Sequence, residues 1–177
     1  MSVEHFEPAD RTPPFKVVLG QVMSKGDRMD YAIQKATELG VTTIQLLTSE
    51  RCEMRLKYDR DQKKIDHWQS VAIAACEQCG MNIVPKILAP LRLEDWFNSN
   101  LPATKLVLAP NKDQVDVLNN VSKDLALLIG PEGGLSEAEI NAANAVGFEN
   151  WCIGSRVLRT ETAPVVALAL LNYRLAE

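Results

Sequence analysis

Segments that suit buried β-strands alternate along this chain with segments that suit amphipathic helices. Two of the strand segments, residues 106–109 (LVLA) and 125–130 (LALLIG), are apolar at every position before a closing glycine or turn. A strand that is apolar on both sides needs cover on both faces of its sheet, which is the arrangement of parallel sheets in α/β proteins. The sequence therefore predicts an α/β fold with a mostly parallel sheet flanked by helices.

Local signals place the individual helices and strands. Asp27 is expected to cap the first helix and Gly40 to end it, while Ser136 and Glu139 have the spacing of a capping box. Pro164 suits the first turn of the last helix, where its missing N–H costs little. Strands are expected over 15–23, 41–49, 83–88, 105–110, 124–130 and 150–154, and helices over 26–40, 64–80, 93–100, 136–147 and 162–175.

Length and charge restrict the class of protein. The 177 residues suffice for one domain with a real core, and no signal peptide or bilayer-spanning apolar run is visible. The polar, proline-rich residues 1–15 are interpreted as a linker or tail, and residues 16–177 as the domain. A formal net charge of −4 argues against a general DNA-coating protein. The basic segment 51–64 allows local RNA phosphate contacts, although a solvated loop and helix start explains it equally well.

The four cysteines, with no secretory signal, indicate reduced thiols in the cytoplasm. Cys76 and Cys79 form a CxxC, but no second CxxC or histidine cluster completes a zinc site. Both cysteines continue the apolar stripe of a helix, so packed and unreactive thiols are expected and no metal site is predicted. The alternative of a redox or zinc protein is the least favoured interpretation.

Two glycine-containing loops carry the functional signal. The segment LLIGPEGGLSEAEI, residues 127–140, and the segment IGSRVLRTETAP, residues 153–164, each run from a strand through a loop into a helix. Ligands of open α/β sheets bind at the carboxyl ends of strands, and glycines allow close backbone approach. Neither a dinucleotide G-x-G-x-x-G spacing nor a P-loop is present. The second loop is dense in hydrogen-bonding side chains, which favours a binding site over a purely structural turn.

Together the two loops resemble the paired C-terminal motifs of the RsmE family of ribosomal RNA small subunit methyltransferases. Further matches are LGQVMSKGDRMDYAIQKATELGV, SERC and WQSVAIAACEQCGMNIVP, so the resemblance runs from Lys16 to the end of the chain. It implies a SPOUT-type fold with a deep trefoil knot near the C-terminus. It also implies S-adenosyl-L-methionine-dependent methylation of N3 of a uridine in 16S ribosomal RNA of the small ribosomal subunit, in the cytoplasm.

The resemblance implies two further structural properties. Members act as homodimers, and the last helix, apolar on nearly all sides, suits a contact with a partner subunit. Members also begin with a small PUA-like RNA-binding domain, for which this chain has no room. The sequence is therefore expected to represent the catalytic domain without that N-terminal module.

The resemblance also implies the site residues. The cofactor is expected to lie against three loops, with adenine near backbone groups and Leu158, and with Glu132 near a ribose hydroxyl or the sulfonium. The cofactor-binding residues are then Leu108, Ala109, Pro110, Ile129, Gly130, Pro131, Glu132, Gly133, Gly134, Ile153, Gly154, Arg156, Val157, Leu158, Thr160, Thr162 and Ala163.

The chemistry that the resemblance implies assigns roles to two more residues. N3 of uridine carries a proton, so a cation near O2 or O4 and a carboxylate that accepts the proton both assist the reaction. Arg159 and Glu161 are the candidates for these catalytic roles. In the alternative, the two side chains orient each other through an ion pair. Alignment of methyl donor and acceptor supplies most of the remaining rate.

Two other functions stay open at the level of sequence. One is a different SPOUT RNA methyltransferase that modifies a ribose 2′-hydroxyl or a tRNA base. The other is a non-catalytic RNA-binding or assembly module that keeps the fold. The modified nucleoside distinguishes the first from uridine-N3 methylation, and cofactor binding distinguishes the second.

Overall fold

A parallel β-sheet forms the centre of the structure. The computed structural model describes residues 10–54, 58–109 and 117–175, with 58–61 described as backbone only. Within these residues the strands are β1 Lys16–Val22, β2 Thr43–Thr48, β3 Lys86–Arg92, β4 Thr104–Leu108, β5 Asp124–Ile129 and β6 Glu149–Trp151. Their order is β3-β2-β1-β5-β4-β6, and each neighbouring pair is parallel. The predicted α/β class and sheet type are confirmed.

Four helices and one 3₁₀ turn connect these strands in the described ranges, and a fifth helix follows β6. They are α1 Arg28–Glu38, α2 Tyr58–Cys79, α3 Leu93–Phe97, the 3₁₀ turn Val117–Asn120, α4 Glu137–Ala145 and α5 Ala163–Leu175. Helix α2 begins six residues earlier than expected, at Tyr58, in a polar segment where Arg60, Gln62 and Lys63 favour helix. Strand β3 begins later than expected, after Pro85, which lacks the N–H that a ladder requires.

The capping expectations have different outcomes. The capping box of α4 is confirmed: Ser136 Oγ accepts from the Glu139 N–H at 3.2 Å, and Glu139 Oε2 accepts from the Ser136 N–H at 2.8 Å. Gly40 ends α1 with a φ of +82°, also as expected. The prediction for Asp27 is wrong, since its side chain makes no capping bond. Its φ of −68° and ψ of −6° are helical, whereas a capping residue needs extended backbone.

Alternate side chains of each central strand enter two different hydrophobic clusters. Leu19 of β1 and Leu127 of β5 belong to the cluster on one face, and Val22 and Leu128 belong to the cluster on the other. Residues of α1, α2 and α5 complete the first cluster, and residues of α3 and α4 complete the second. Helices therefore cover both faces, which explains why these strands are apolar throughout.

The segment before β1 packs against the amino-end edge of the sheet. The Arg11 N–H donates to Asn82 Oδ1 at 2.9 Å, Pro13 lies against the Cα of Gly40, and Phe15 is buried. Residues 1–9 are outside the described residues. The boundary between a linker at 1–15 and a domain at 16–177 stays a prediction.

Helix α5 is buried on one side in the single chain. Leu168 and Leu171 enter the core, while Tyr173 is 86% exposed on the opposite side. Neither α5 nor any other helix in the described ranges is long and apolar enough to cross a membrane.

Candidate active site

A cleft of about 810 Å³ opens at the carboxyl ends of three neighbouring strands. Leu108 closes β4, Ile129 closes β5 and Trp151 closes β6, and all three residues line the cleft. Because β5, β4 and β6 are adjacent, the loops that follow them meet at one edge of the sheet. The volume suits a ligand the size of a nucleoside cofactor.

Most of the residues expected to bind a cofactor line this cleft. Pro110 is outside the described residues, while Arg159, Glu161 and Thr162 do not line the cleft. The expected residues that do line it are Leu108, Ala109, Ile129, Gly130, Pro131, Glu132, Gly133, Gly134, Ile153, Gly154, Arg156, Val157, Leu158, Thr160 and Ala163. The two glycine-containing loops thus line one cleft.

The cleft also contains residues outside the expected cofactor-binding set: Arg51, Leu135, Glu137, Ile140, Trp151, Cys152 and Ser155. Leu135, Glu137, Ile140 and Ser155 lie within the two quoted segments, and residues 151–152 directly precede the second segment. Arg51 is different, because it comes from the β2–α2 connection. Its sequence signals were the basic segment 51–64 and the SERC match to the RsmE family at residues 49–52.

A hydrogen-bonded link joins the two loops behind the cleft. Thr160 Oγ1 donates to the Gly130 carbonyl oxygen at 2.8 Å and accepts from Gln21 Nε2 at 3.2 Å. Thr160 is buried, so its hydroxyl acts within the protein and is not a surface helix cap. The second loop is therefore held against the first at the point where β5 ends.

Two arginines hold the Gly130–Gly134 loop from the other side. Arg28 Nη1 lies 2.7 Å from Glu132 Oε1, and Arg51 Nη1 donates to the Gly133 carbonyl oxygen at 3.0 Å. One carboxylate oxygen of Glu132 is thereby engaged by the start of α1. A nearby exposed pair, Lys25 and Glu53, is separated by 2.8 Å. The hydrogen bond from Lys25 to Glu53 and the negative charge of Glu53 raise the pKa of Lys25, and the charge of Glu132 raises it further.

Glycines give the cleft wall its shape at two positions. Gly134 has a φ of +69° and Gly154 a φ of +70°, in the left-handed region that residues with a Cβ rarely adopt. No heavy atom lies within 4 Å of where a Cβ would stand at either position. Their role is thus conformational, and the space beside them is open to a ligand.

Arg159 and Glu161 lie together on the outer part of the second loop. Arg159 Nη1 is 3.9 Å from Glu161 Oε1, and the side chains are 81% and 16% exposed, respectively. The Arg159 carbonyl accepts from the N–H groups of Thr162 and Ala163 at 2.9 Å, which starts α5. This spacing matches the loose ion pair considered as the alternative. The catalytic roles of both residues stay predictions.

The two cysteines of the CxxC lie near the end of α2. Cys76 is buried, its Sγ donates to the Ile83 carbonyl, and Cys79 Sγ donates to the Cys76 carbonyl. Burial, followed by the influence of Cys79, raises the pKa of the Cys76 thiol. Cys76, Cys79 and Cys152 are free thiols, and no group of three or more potential metal ligands occurs among the residues that the structure describes.

Comparison with known proteins shows the family to which this chain belongs. A family model described as an RNA methyltransferase domain matches residues 11–172. A ribosomal RNA small subunit methyltransferase E from Buchnera aphidicola subsp. Schizaphis graminum is 38% identical over 166 residues, which are 93% of this chain and 68% of that protein. The chain belongs to the RsmE family.

Other RsmE proteins agree in sequence and structure. The RsmE protein of Bacillus subtilis is 31% identical over 93% of this chain and 68% of its own length. The crystal structure of the RsmE protein of Neisseria gonorrhoeae bound to S-adenosyl methionine superimposes with a TM-score of 0.87 at 37% identity. It covers 94% of this chain, which corresponds to 69% of that one.

The RsmE comparisons decide the expected fold class. The chain spans about two thirds of the length of these relatives. The SPOUT-type fold class is confirmed by the parallel sheet together with the structural match. Strand order by itself does not describe the threading of the chain, so the trefoil knot stays a prediction from the resemblance.

Proposed function

We propose that this RsmE-family chain uses S-adenosyl-L-methionine to methylate N3 of a uridine in 16S ribosomal RNA of the small ribosomal subunit. The observation that carries the proposal is the single cleft into which both glycine-containing loops project, joined by the Thr160–Gly130 hydrogen bond. Membership of a family named for small-subunit ribosomal RNA methylation supports the substrate. A ribosomal substrate would place the protein in the cytoplasm.

The donor set of the cleft fits the proposed cofactor. Leu108, Ile153 and Leu158 offer apolar surface for an adenine ring, since all three line the cleft. The open backbone beside Gly134 and Gly154 allows a ligand to approach main-chain amides and carbonyls. Glu132 adds the nearby negative charge that favours a sulfonium, although Arg28 shares that charge.

The proposed chemistry divides between the cofactor and the chain. When bound, S-adenosyl-L-methionine supplies an activated methyl group. Arg159 is proposed to stabilise negative charge on O2 or O4 of the uridine, and Glu161 to accept the N3 proton. Neither residue lines the cleft, but both are chain neighbours of Thr160, which does. The 3.9 Å separation leaves room for each to face a substrate group.

Cofactor binding is tested by calorimetric titration with S-adenosylmethionine and S-adenosylhomocysteine. Saturation near one cofactor per chain is the expected result. Leu158→Asp places a charge in the apolar part of the cleft and is expected to weaken binding strongly. Arg159→Ala is expected to bind the cofactor like the parent chain. Absence of binding by the folded parent protein would contradict the proposal and favour the non-catalytic module.

The reaction is tested with methyl-labelled cofactor and small ribosomal subunits that lack the modification. Nucleoside digestion and mass spectrometry should reveal 3-methyluridine, and Arg159→Ala and Glu161→Gln should each transfer methyl groups much more slowly at saturating cofactor. A ribose 2′-O-methyl product, or a preference for tRNA, would replace the uridine-N3 assignment with another SPOUT activity.

We also propose that the chain acts as a homodimer through the exposed side of α5. Residues 163–171 of α5 are apolar, and Val166, Leu170 and Tyr173 share one face of the helix that is only partly buried or exposed, as is typical of a protein–protein contact. Sedimentation velocity is expected to give a dimer for the parent chain and a monomer for Tyr173→Glu. A monomeric parent chain at all concentrations would refute this contact.

A further inference from the structure

Gln21 is a buried polar residue near the carboxyl end of β1, a central strand of the sheet. Its side chain is 1% exposed and does not line the cofactor cleft. The Gln21 Nε2 atom donates to the Val22 carbonyl oxygen at 3.0 Å and to Thr160 Oγ1 at 3.2 Å. A residue of the sheet core thus reaches a loop 139 positions later in the chain.

The direction of these hydrogen bonds follows from the acceptors. A carbonyl oxygen only accepts, so the single proton of the Thr160 hydroxyl is donated to Gly130, 2.8 Å away. Thr160 Oγ1 must then accept from Gln21. Turning the amide around would set Gln21 Oε1 against the Val22 carbonyl, and two acceptors repel. The relay therefore runs in one direction, from Gln21 through Thr160 to Gly130.

The other end of the amide has no partner. Within the described residues, no donor reaches the buried Gln21 Oε1. Burying an unpaired acceptor is unfavourable, and an apolar side chain of the same length would avoid that penalty. A glutamine at position 21 therefore adds little to the stability of the sheet, whereas the contact with Thr160 requires a hydrogen-bond donor at this position.

From this arrangement we infer that Gln21 is a positioning residue for the cofactor cleft. Its amide orients the Thr160 hydroxyl, which holds the end of β5 and the 153–163 loop at a constant separation. Gln21 therefore affects ligand binding through two loops to which it does not itself belong. The inference rests on the proposed cofactor function for its effect on binding, but the ordering of the loops is independent of any ligand.

Gln45 provides a matched control. It is also a buried glutamine of a central strand, 4% exposed, and its Nε2 donates to the following carbonyl, of Leu46, at 3.0 Å. Its second bond, to the Ala89 carbonyl at 2.6 Å, leads to β3 and away from the cleft. Gln21→Met and Gln45→Met remove the same groups with little change in volume, and only the first breaks the relay.

The first measurement is hydrogen exchange without ligand. Gln21→Met is expected to raise amide exchange in residues 132–134 and 154–160, and Gln45→Met to leave both segments protected as in the parent chain. Unchanged exchange in Gln21→Met, or equal changes in both variants, would overturn the inference. This result does not depend on whether the chain binds the cofactor.

The second measurement is calorimetric titration with S-adenosylmethionine. The loss of one hydrogen bond predicts about 3- to 10-fold weaker binding by Gln21→Met and unaltered binding by Gln45→Met. Thr160→Val breaks the relay from its other end and replaces Gln21→Met if that variant fails to fold. The double variant should bind no more weakly than Thr160→Val alone, because one relay is lost in both. Additive losses would overturn the inference, whereas no binding by the parent chain would refute the proposed function instead.

Discussion

Replacing Gly130 with alanine tests how closely the Gly130–Gly134 loop folds back on itself. A Cβ at this position would stand 3.0 Å from Leu135 Cγ, 3.1 Å from the Leu135 backbone nitrogen and 3.4 Å from the Gly134 carbonyl carbon. Two of these atoms are backbone, so the contact cannot be relieved by rotating a side chain. The loop itself must move by a few tenths of an ångström, toward the open cleft.

The cost follows from this geometry. Overpacking by one methyl group typically destabilises a protein by about 1–3 kcal/mol. Replacing glycine with alanine also lowers the conformational entropy of the unfolded chain, which offsets about 0.4–1 kcal/mol of that loss. The net loss is therefore about 0.5–2 kcal/mol, or a Tm lower by about 2–6 °C for a chain of this size. A shifted loop also misplaces the cleft wall, so S-adenosylmethionine affinity should fall about 3- to 10-fold.

Gly133→Ala is the control for this substitution. Its Cβ would lie 3.5–3.6 Å from side-chain atoms of Arg51, an ordinary contact, and its φ is not in the left-handed region. Thermal unfolding of both variants should show a lower Tm for Gly130→Ala and a Tm within about 2 °C of the parent for Gly133→Ala. An unchanged Tm for Gly130→Ala, or equal losses in both, would refute the argument from loop contacts.

Three further predictions follow from the described contacts. Ser136→Ala removes the α4 capping box and should cost about 1 kcal/mol in urea unfolding, and a loss below about 0.3 kcal/mol would contradict the cap. Gly20→Ala places a Cβ in steric conflict with the buried ring of Trp96 and should destabilise the fold by about 1–3 kcal/mol, with part of the loss recovered by adding Trp96→Phe; a loss that persists unchanged would rule out the clash. Burial raises the pKa of Cys76, so its alkylation should require higher pH than that of an ordinary thiol, and mass-spectrometric detection of labelling at neutral pH as fast as for a free thiol would disprove that burial.

The sequence predicted the sheet because the sheet depends on local hydrophobic patterns, whereas the resemblance to the RsmE family supplied most of the expected cleft residues. Wholly apolar strands required helices on both faces, and parallel strands bring their carboxyl ends to one edge. The loops after β5 and β6 were therefore expected to meet, and they do. Asp27 was misjudged as a cap because residue type does not report the backbone conformation, and here the backbone is already helical.

What sequence alone determined about this protein is its α/β class, its RsmE-like motifs and the two loops that form the cleft wall. Only the tertiary structure decided which distant side chains support those loops. Arg51 reaches Gly133 across 82 positions and Gln21 reaches Thr160 across 139, and no periodicity or spacing encodes either contact. The reason is physical: hydrophobic patterns specify which side of an element is buried, whereas the partner of a polar side chain depends on how several packed elements place it in space.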